Sequence, residues 1–263
     1  MNKFVKFFSR RRSWSLPYVI FMAIFVVMPL VLIMIYAFQS KDGSFSMENF
    51  QRFINQPEAA NTFIYSIGIA LITTIICLVL GYPAAYILSR LKPSTARLVV
   101  MLFILPMWIN VLVRTLATVA LFDFLRLPLG EGALIFGMVY NFLPFMIYPI
   151  YNVLQKMDGS LIEAAEDLGA TPRQVFTRVV FPLSSPGIVS GIMMVFMPTI
   201  STFAIAELLT MNNIKLFGTT IQENINNGMW HYGAALSLIM LIIIGITTLF
   251  TDSSEDGANE GLI

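Results

Sequence analysis

The amino-acid sequence predicts an all-α integral membrane protein with six transmembrane helices. Hydrophobic residues make up 57% of the chain, aromatic residues 13% and charged residues only 12%, a composition too apolar for a soluble domain. A helix needs about 20 apolar residues to cross a hydrocarbon core of about 30 Å, and six runs reach or nearly reach this length. These runs cover residues 17–38, 62–88, 98–122, 133–154, 186–210 and 233–250.

The first run follows a cluster of basic residues, as a signal peptide would, but its apolar stretch is too long and no small-residue cleavage site follows it. We therefore expect an uncleaved first span. Prolines interrupt several runs, and in membrane helices such prolines usually produce kinks because neighbouring groups satisfy the freed backbone. The prolines concerned are Pro29, Pro83, Pro106, Pro144, Pro149 and Pro198.

The distribution of lysine and arginine predicts a cytoplasmic N-terminus, because basic residues accumulate in cytoplasmic connections. In that orientation the cytoplasmic segments hold eleven bases, which are Lys3, Lys6, Arg10, Arg11, Arg12, Arg90, Lys92, Arg97, Lys156, Arg173 and Arg178. The outer segments hold four, which are Lys41, Arg52, Arg126 and Lys215. We thus divide the chain into a basic cytoplasmic N-terminus (1–16), a six-span domain (17–250) and an acidic tail (251–263) that we expect to be disordered.

The loop between the fourth and fifth spans, residues 155–185, has the sequence pattern of two short cytoplasmic helices. Ser160 and Glu163 have the spacing of a capping box, which predicts a helix starting at 160. Gly169 suits the residue after a helix end, and Thr171-Pro172 suits the start of a second helix. Helices of about nine residues are marginal when isolated in water, so we expect another surface to pack against them.

The first of these helices carries Leu161, Ala164, Ala165 and Leu168 at helical spacing. The two alanines leave a shallow face that a groove of a partner protein can approach closely. The alternative is an amphipathic helix lying on the membrane surface, with Glu163 engaged only in capping its own helix.

The loop resembles the EAA loop of ABC importer permeases. It has Glu-Ala-Ala at 163–165, Gly169 and Pro182, with Val179 and Phe181 where that family usually has Ile and Leu. The resemblance implies the six-helix fold of type I importer permeases (the MetI-like kind) and a coupling helix that inserts into a separate ATPase subunit. The residues it implies for this docking are Glu163, Ala164, Ala165, Asp167 and Gly169.

Three motifs outside the loop, together with the extended loop motif, narrow the resemblance to permease subunits of spermidine/putrescine importers. They are Gly81-Tyr82-Pro83-Ala84, Trp108-x-Asn110-x-Leu112-x-Arg114, Leu143-Pro144-Phe145-Met146 and the extended loop motif 163–170. This resemblance implies a bacterial plasma-membrane permease that works by alternating access. It also implies three partners: an ATPase that binds ATP and Mg²⁺, a second, homologous but non-identical permease, and an extracytoplasmic substrate-binding protein.

A polyamine path requires carboxylates and aromatic faces for the cationic substrate. Glu207 is the one acid within a predicted span, and Phe203 precedes it by four residues, on the same helical face. We predict that both line the path, with Trp108 and Asn110 as further candidates. The alternatives are a Glu207 carboxylate at the headgroup boundary and a Trp108 that anchors the interface. Arg114 has the wrong charge to attract a polyamine, and we expect it to pair with Glu207, with Asp123 or with backbone carbonyls.

The sequence lacks the residues that nucleotide hydrolysis and zinc binding require. The sequence has no phosphate-binding Gly-x-x-x-x-Gly-Lys-Ser/Thr loop, and His231 and Cys77 alone cannot form a usual zinc site. We therefore expect no metal site, no cofactor in this chain and no enzyme activity, with His231 as an interfacial residue. Two alternatives stay open: a permease for another small solute such as iron, thiamine or an opine, and a stand-alone secondary transporter in which Arg114 and Glu207 form a gating pair.

Overall fold

The computed structural model describes residues 16–40 and 42–260, and this part of the chain is almost entirely helical. The basic residues of the N-terminus and Lys41 lie outside the described residues. In chain order the helices are α1 Leu16–Ala37, α2 Glu48–Asn55, α3 Pro57–Arg90, α4 Pro93–Trp108, α5 Val111–Phe124, α6 Glu131–Lys156, α7 Gly159–Asp167, α8 Pro172–Leu183, α9 Ser185–Ser201, α10 Ala204–Thr210, α11 Phe217–Asn226 and α12 Trp230–Glu260.

Six membrane spans follow from these helices if each bent pair counts as one. Four helices are single spans by length and composition, namely α1, α3, α6 and the part of α12 from Trp230 to Thr248. Helices α4 and α5 form a pair bent by 96°, and α8 and α9 form a pair bent by 60°. The six-span prediction is therefore confirmed, although the third run (98–122) is a broken element rather than one kinked helix.

Two helix ends differ from the sequence prediction. The fifth span ends at Ser201 and not at 210, because Thr202 adopts an extended conformation and α10 begins as a separate helix. At the C-terminus, α12 continues to Glu260 and so includes most of the tail that we expected to be disordered.

Proline explains two short π-helical turns. One covers Ala23–Val27 in α1 and the other covers Phe176–Val180 in α8. Each stands immediately before a segment with proline at its first or second position, Pro29 and Pro182 respectively. A proline ring clashes with the carbonyl four residues before it, and a wider π turn accommodates such an interruption without ending the helix.

The chain divides into two compact units. The first contains the residues up to Pro57 together with Ile221–Ile242, and its buried apolar cluster consists of Ala37, Ala234, Ala235 and Leu238. Near this cluster, His231 Nδ1 lies 3.2 Å from the carbonyl oxygen of Tyr36, and the Arg52 guanidinium lies 4.4 Å from the centre of the Tyr232 ring. The apolar window of α1 has no buried residue, as expected of a span that faces lipid or another subunit.

The second unit contains Glu58–Thr220 and the residues from Ile243 onward. Its centre is α6, in which Leu134, Met138 and Met146 are fully buried. Helix α9 approaches α6 very closely, since a Cβ atom on Gly187 would lie 3.0 Å from the Cα atom of Ile150. Small residues allow such backbone contact between membrane helices, where van der Waals packing drives association.

We predict that Gly218→Ala destabilises the second unit. A Cβ atom there would lie 2.4 Å from the carbonyl oxygen of Ser201 and 2.8 Å from that of Thr202. The start of α11 cannot move away freely because the Phe217 amide donates a 2.7 Å hydrogen bond to the Ser66 hydroxyl. Overpacking of this kind costs about 1–3 kcal/mol, so the thermal midpoint of the detergent-solubilised protein should fall. Gly68→Ala is the matched control, since its Cβ would meet no atom within 4 Å, and an equal midpoint for both variants would contradict the prediction.

Candidate functional site

Helix α7 begins at Gly159, one residue earlier than the sequence predicted, and Asp158 caps it instead of Ser160. The Asp158 backbone is extended and its carboxylate accepts a 3.0 Å hydrogen bond from the Ser160 amide. This bond lowers the pKa of the Asp158 carboxyl. A lowered folded-state pKa means that the cap contributes stability above the ordinary aspartate pKa and loses it as the pH falls through the folded value. The predicted Ser160–Glu163 capping box is thus wrong, because an aspartate at 158 satisfies the free amides first.

The turn between α7 and α8 confirms the predicted roles of Gly169 and Thr171. Gly169 has φ of +80°, its amide donates to Glu166 O at 2.8 Å, and the Ala170 amide donates to Ala165 O at 3.0 Å. These two bonds define a Schellman motif. Thr171 then caps α8 in a reciprocal box with Gln174. Asp158 and Gln174 were missed, although an aspartate before a helix and a Thr-x-x-Gln spacing are both recognisable signals.

Helix α7 turns only a narrow side toward the rest of the second unit. Ile162 and Ala165 are half-buried against the core cluster, whereas Glu163, Ala164 and Asp167 are exposed. The predicted apolar face is therefore divided, because Ala165 packs inward and Ala164 points outward. Two leucines beside Ala164 are also exposed: Leu161 at 46% and Leu168 at 89%.

An open groove with a volume of about 310 Å³ lies between α7 and α8. Its wall is mostly apolar, with the exposed Arg178 guanidinium among its polar groups. The lining residues are Ala165, Leu168, Gly169, Ala170, Gln174, Arg178 and Val179. Together with the exposed leucines, this groove makes the α7–α8 pair an apolar surface bordered by charges.

The structure places Phe203 and Glu207 in one helical turn, but after the end of the fifth span. Phe203 is the residue before α10, and its carbonyl accepts a 3.0 Å hydrogen bond from the Glu207 amide. Helix α10 buries Ile205 and Leu209 against α5 and α6, while Glu207 is half-buried and Phe203 is 39% exposed. Both candidate path residues thus lie away from the buried side of α10, on a helix anchored in the core.

Trp108 and Asn110 flank the break between α4 and α5. The Trp108 side chain is 85% exposed, so it is not a packing residue of this chain. Asn110 caps α5, since its side-chain oxygen accepts a 2.8 Å hydrogen bond from the Leu112 amide. Among the described residues, no hydrogen bond or ring contact joins either of them to Phe203 or Glu207.

Arg114 is buried in α5, with only 7% of its surface exposed. Its Nε and Nη1 atoms have no hydrogen-bond partner, and the described residues provide no ion pair for it. The expected pairing with Glu207 or Asp123 is therefore not present. Within residues 16–40 and 42–260, no three acidic, histidine or cysteine side chains cluster in a way that would hold a metal ion.

The bent helix pairs, the candidate spans and the capped, exposed turn between α7 and α8 define a polytopic membrane protein. The chain belongs to the family of binding-protein-dependent transport system inner membrane components, whose model matches residues 77–257. It is accordingly the permease component of an ABC importer. A family of this kind implies an ATPase partner and a substrate-binding protein, and makes the chain a transport subunit rather than an enzyme.

Individual relatives agree with this assignment. The chain is 34% identical over 246 residues to the spermidine/putrescine transport system permease protein PotB of Haemophilus influenzae, covering 84% of this chain and 86% of that protein. It is 33% identical to PotB of Escherichia coli, covering 87% and 91% respectively. A crystal structure of a bacterial ABC transporter involved in alginate import has the same fold, with a TM-score of 0.69 and 17% identity over 96% of this chain and 98% of that chain. This family membership excludes the stand-alone secondary transporter.

Proposed function

We propose that this chain is a permease subunit of an importer for spermidine and putrescine. The substrate assignment rests on the similarity, over more than four fifths of the chain, to permeases named for these polyamines. The geometry of α10 supports it, because the Glu207 carboxylate and the Phe203 ring lie one turn apart and both remain accessible.

The chemistry of α10 suits a desolvated polycation. A carboxylate balances one ammonium charge, and an aromatic face adds a cation–π contact worth about 0.5–2 kcal/mol, depending on solvent exposure. Trp108 is a further candidate for such a contact because its indole is almost fully exposed. Asn110 is a weaker candidate, since its side-chain oxygen already caps α5.

We further propose that α7 and α8 form the surface that docks into the ATPase subunit. The supporting observation is Leu168, an apolar side chain with 89% of its surface exposed in a segment outside the spans. Leu161 and Ala164 continue this apolar strip, and Glu163 and Asp167 border it on the outward side. A partner groove with an apolar floor and basic edges would complement this surface.

The remaining parts of the proposal follow from the family. The N-terminus lies in the cytoplasm, so that the α7–α8 pair faces the ATPase, and the opposite side receives the substrate-binding protein. A second, homologous permease completes the path. ATP-driven closure of the ATPase subunits would then move the spans from inward-open to outward-open through α7 and α8.

Uptake of labelled spermidine, with and without excess unlabelled putrescine, tests the substrate. It should be measured in cells that lack this gene and in the same cells with the gene restored. We expect uptake to be lost and then recovered, and unlabelled putrescine to compete. Equal uptake in both cell lines, with other polyamine importers deleted, would reject polyamines in favour of another small solute such as iron, thiamine or an opine.

A further inference from the structure

A buried hydrogen bond fixes the bend between α8 and α9. Ser184 occupies the bend and is completely buried. Its hydroxyl donates to Phe181 O at 2.8 Å, and its Oγ atom lies 3.0 Å from the Tyr82 hydroxyl oxygen. Because the single serine proton is used toward Phe181, the Tyr82 hydroxyl is the donor to Ser184. The bend is therefore bonded to a residue 102 positions earlier in the chain.

Tyr82 is also held by aromatic contacts with α8. Its ring centre lies 5.9 Å from that of Phe176 in an edge-on arrangement and 5.6 Å from that of Phe181. Only 8% of Tyr82 is exposed, and a buried hydroxyl is costly without a partner. The Tyr82 side chain of α3 thus contacts α8 through its ring, and its hydroxyl bonds to Ser184, where α8 bends into α9.

We propose that Tyr82 is a positioning residue that makes α8 and α3 move as one body when the ATPase subunit displaces the α7–α8 pair. The proposal rests on the docking role proposed above. Helix α8 begins at the turn with α7 and ends at Leu183, next to Ser184, so a displacement applied to α7 is transmitted along α8 to Ser184. Movement of α8 and Ser184 away from α3 would break the Tyr82–Ser184 bond inside a dry core, where no water replaces the lost hydrogen bond. The bond therefore favours transfer of the displacement into α3.

The matched variants are Tyr82→Phe and Tyr86→Phe. Tyr86 lies one turn later in α3, and its ring also contacts Phe176, at 5.6 Å. Its hydroxyl accepts only an exposed hydrogen bond from Arg90, at 3.3 Å. Both variants lose one hydroxyl and keep one ring against Phe176. Only Tyr82→Phe also loses the hydrogen bond to Ser184. Ser184→Ala removes the same bond from the other side.

Spin labels at positions 87 and 177 measure the distance between α3 and α8. Both positions are exposed, and the labels are placed in a Cys77→Ala background of the complete complex with its ATPase. We expect the distance distribution in the parent and in Tyr86→Phe to be the same with and without trapped Mg-ATP. In Tyr82→Phe and Ser184→Ala we expect nucleotide to shift or broaden it. The double variant should behave like either single variant, because each single variant already removes the same Tyr82–Ser184 bond.

A nucleotide-dependent shift of the label distance in the parent would overturn the proposal. So would an unshifted distance in both Tyr82→Phe and Ser184→Ala. Co-purification of the ATPase with an Ala164→Trp variant separates this result from the docking role. If that variant loses the ATPase while the Tyr82 and Ser184 variants keep the parent distances, α7 docks but Tyr82 does not couple. If the Ala164→Trp variant retains the ATPase, the docking surface itself is misassigned.

Discussion

Tryptophan in place of Ala164 is expected to separate the permease from its ATPase subunit. Ala164 lies on the outward side of α7, next to the exposed Leu161 and Leu168. A partner groove that approaches the small methyl group cannot accept an indole ring without moving apart, and overpacking of this size typically costs about 1–3 kcal/mol. We expect the fraction of permease that co-purifies with the ATPase to fall by about tenfold, and transport to fall with it.

Glu166→Trp is the control for this experiment. Glu166 is also exposed and lies two residues from Ala164, which places it about 200° around the helix, given 3.6 residues per turn. The two variants introduce the same side chain into the same short helix. If both retain the ATPase, or both lose it equally, the outward strip of Leu161, Ala164 and Leu168 is not the docking surface.

The spans and the α7–α8 helix pair could be predicted because their signals are local. Hydropathy depends on composition over about 20 residues, and Gly169 ends α7 because a left-handed turn favours glycine. The apolar character of Leu168 is equally visible in the sequence. Its exposure is not, because only the tertiary structure shows that Ile162 and Ala165 are the residues of α7 that pack inward.

The features that could not be predicted depend on distant contacts. Residues 186–210 are apolar almost throughout, so hydropathy gives no reason for the span to end at Ser201. The separate helix α10 is fixed by packing instead: the Gly130 amide donates to Leu209 O at 2.9 Å, and a Cβ atom on Gly137 would collide with the Leu209 side chain. The Tyr82–Ser184 bond is similarly invisible in the sequence, since its two residues belong to different spans.

The predicted ion pair of Arg114 is not present in the described residues. A guanidinium inside a membrane domain requires partners, and the sequence offered Asp123, Glu207 or backbone carbonyls for this role. In the structure neither acid pairs with Arg114, and two of its nitrogen atoms are buried without a hydrogen bond. Glu207 consequently carries no internal ion pair with this arginine, and its carboxylate is not neutralised from within α5.

Replacement of Glu207 by glutamine is therefore expected to reduce polyamine uptake while leaving assembly intact. Glutamine retains the shape and hydrogen-bonding capacity of the side chain but removes its charge. Hydrogen bonds to a charged group contribute about 1.5–3 kcal/mol, which corresponds to a loss of about tenfold to a hundredfold in uptake efficiency. The measurement is the initial rate of labelled spermidine uptake across a range of concentrations, with ATPase co-purification as the test of assembly.

Asp123→Asn provides the matched loss of one negative charge. Asp123 is an exposed acid in the last turn of α5, the helix against which α10 packs, and it belongs to no proposed path. If Glu207 contacts the substrate, Glu207→Gln should lower uptake and Asp123→Asn should not. Equal losses would indicate a general effect of surface charge on the local cation concentration. Unchanged uptake in Glu207→Gln would remove Glu207 from the path. Its carboxylate would then be assigned to the headgroup boundary, which agrees with its position after the end of α9 at Ser201.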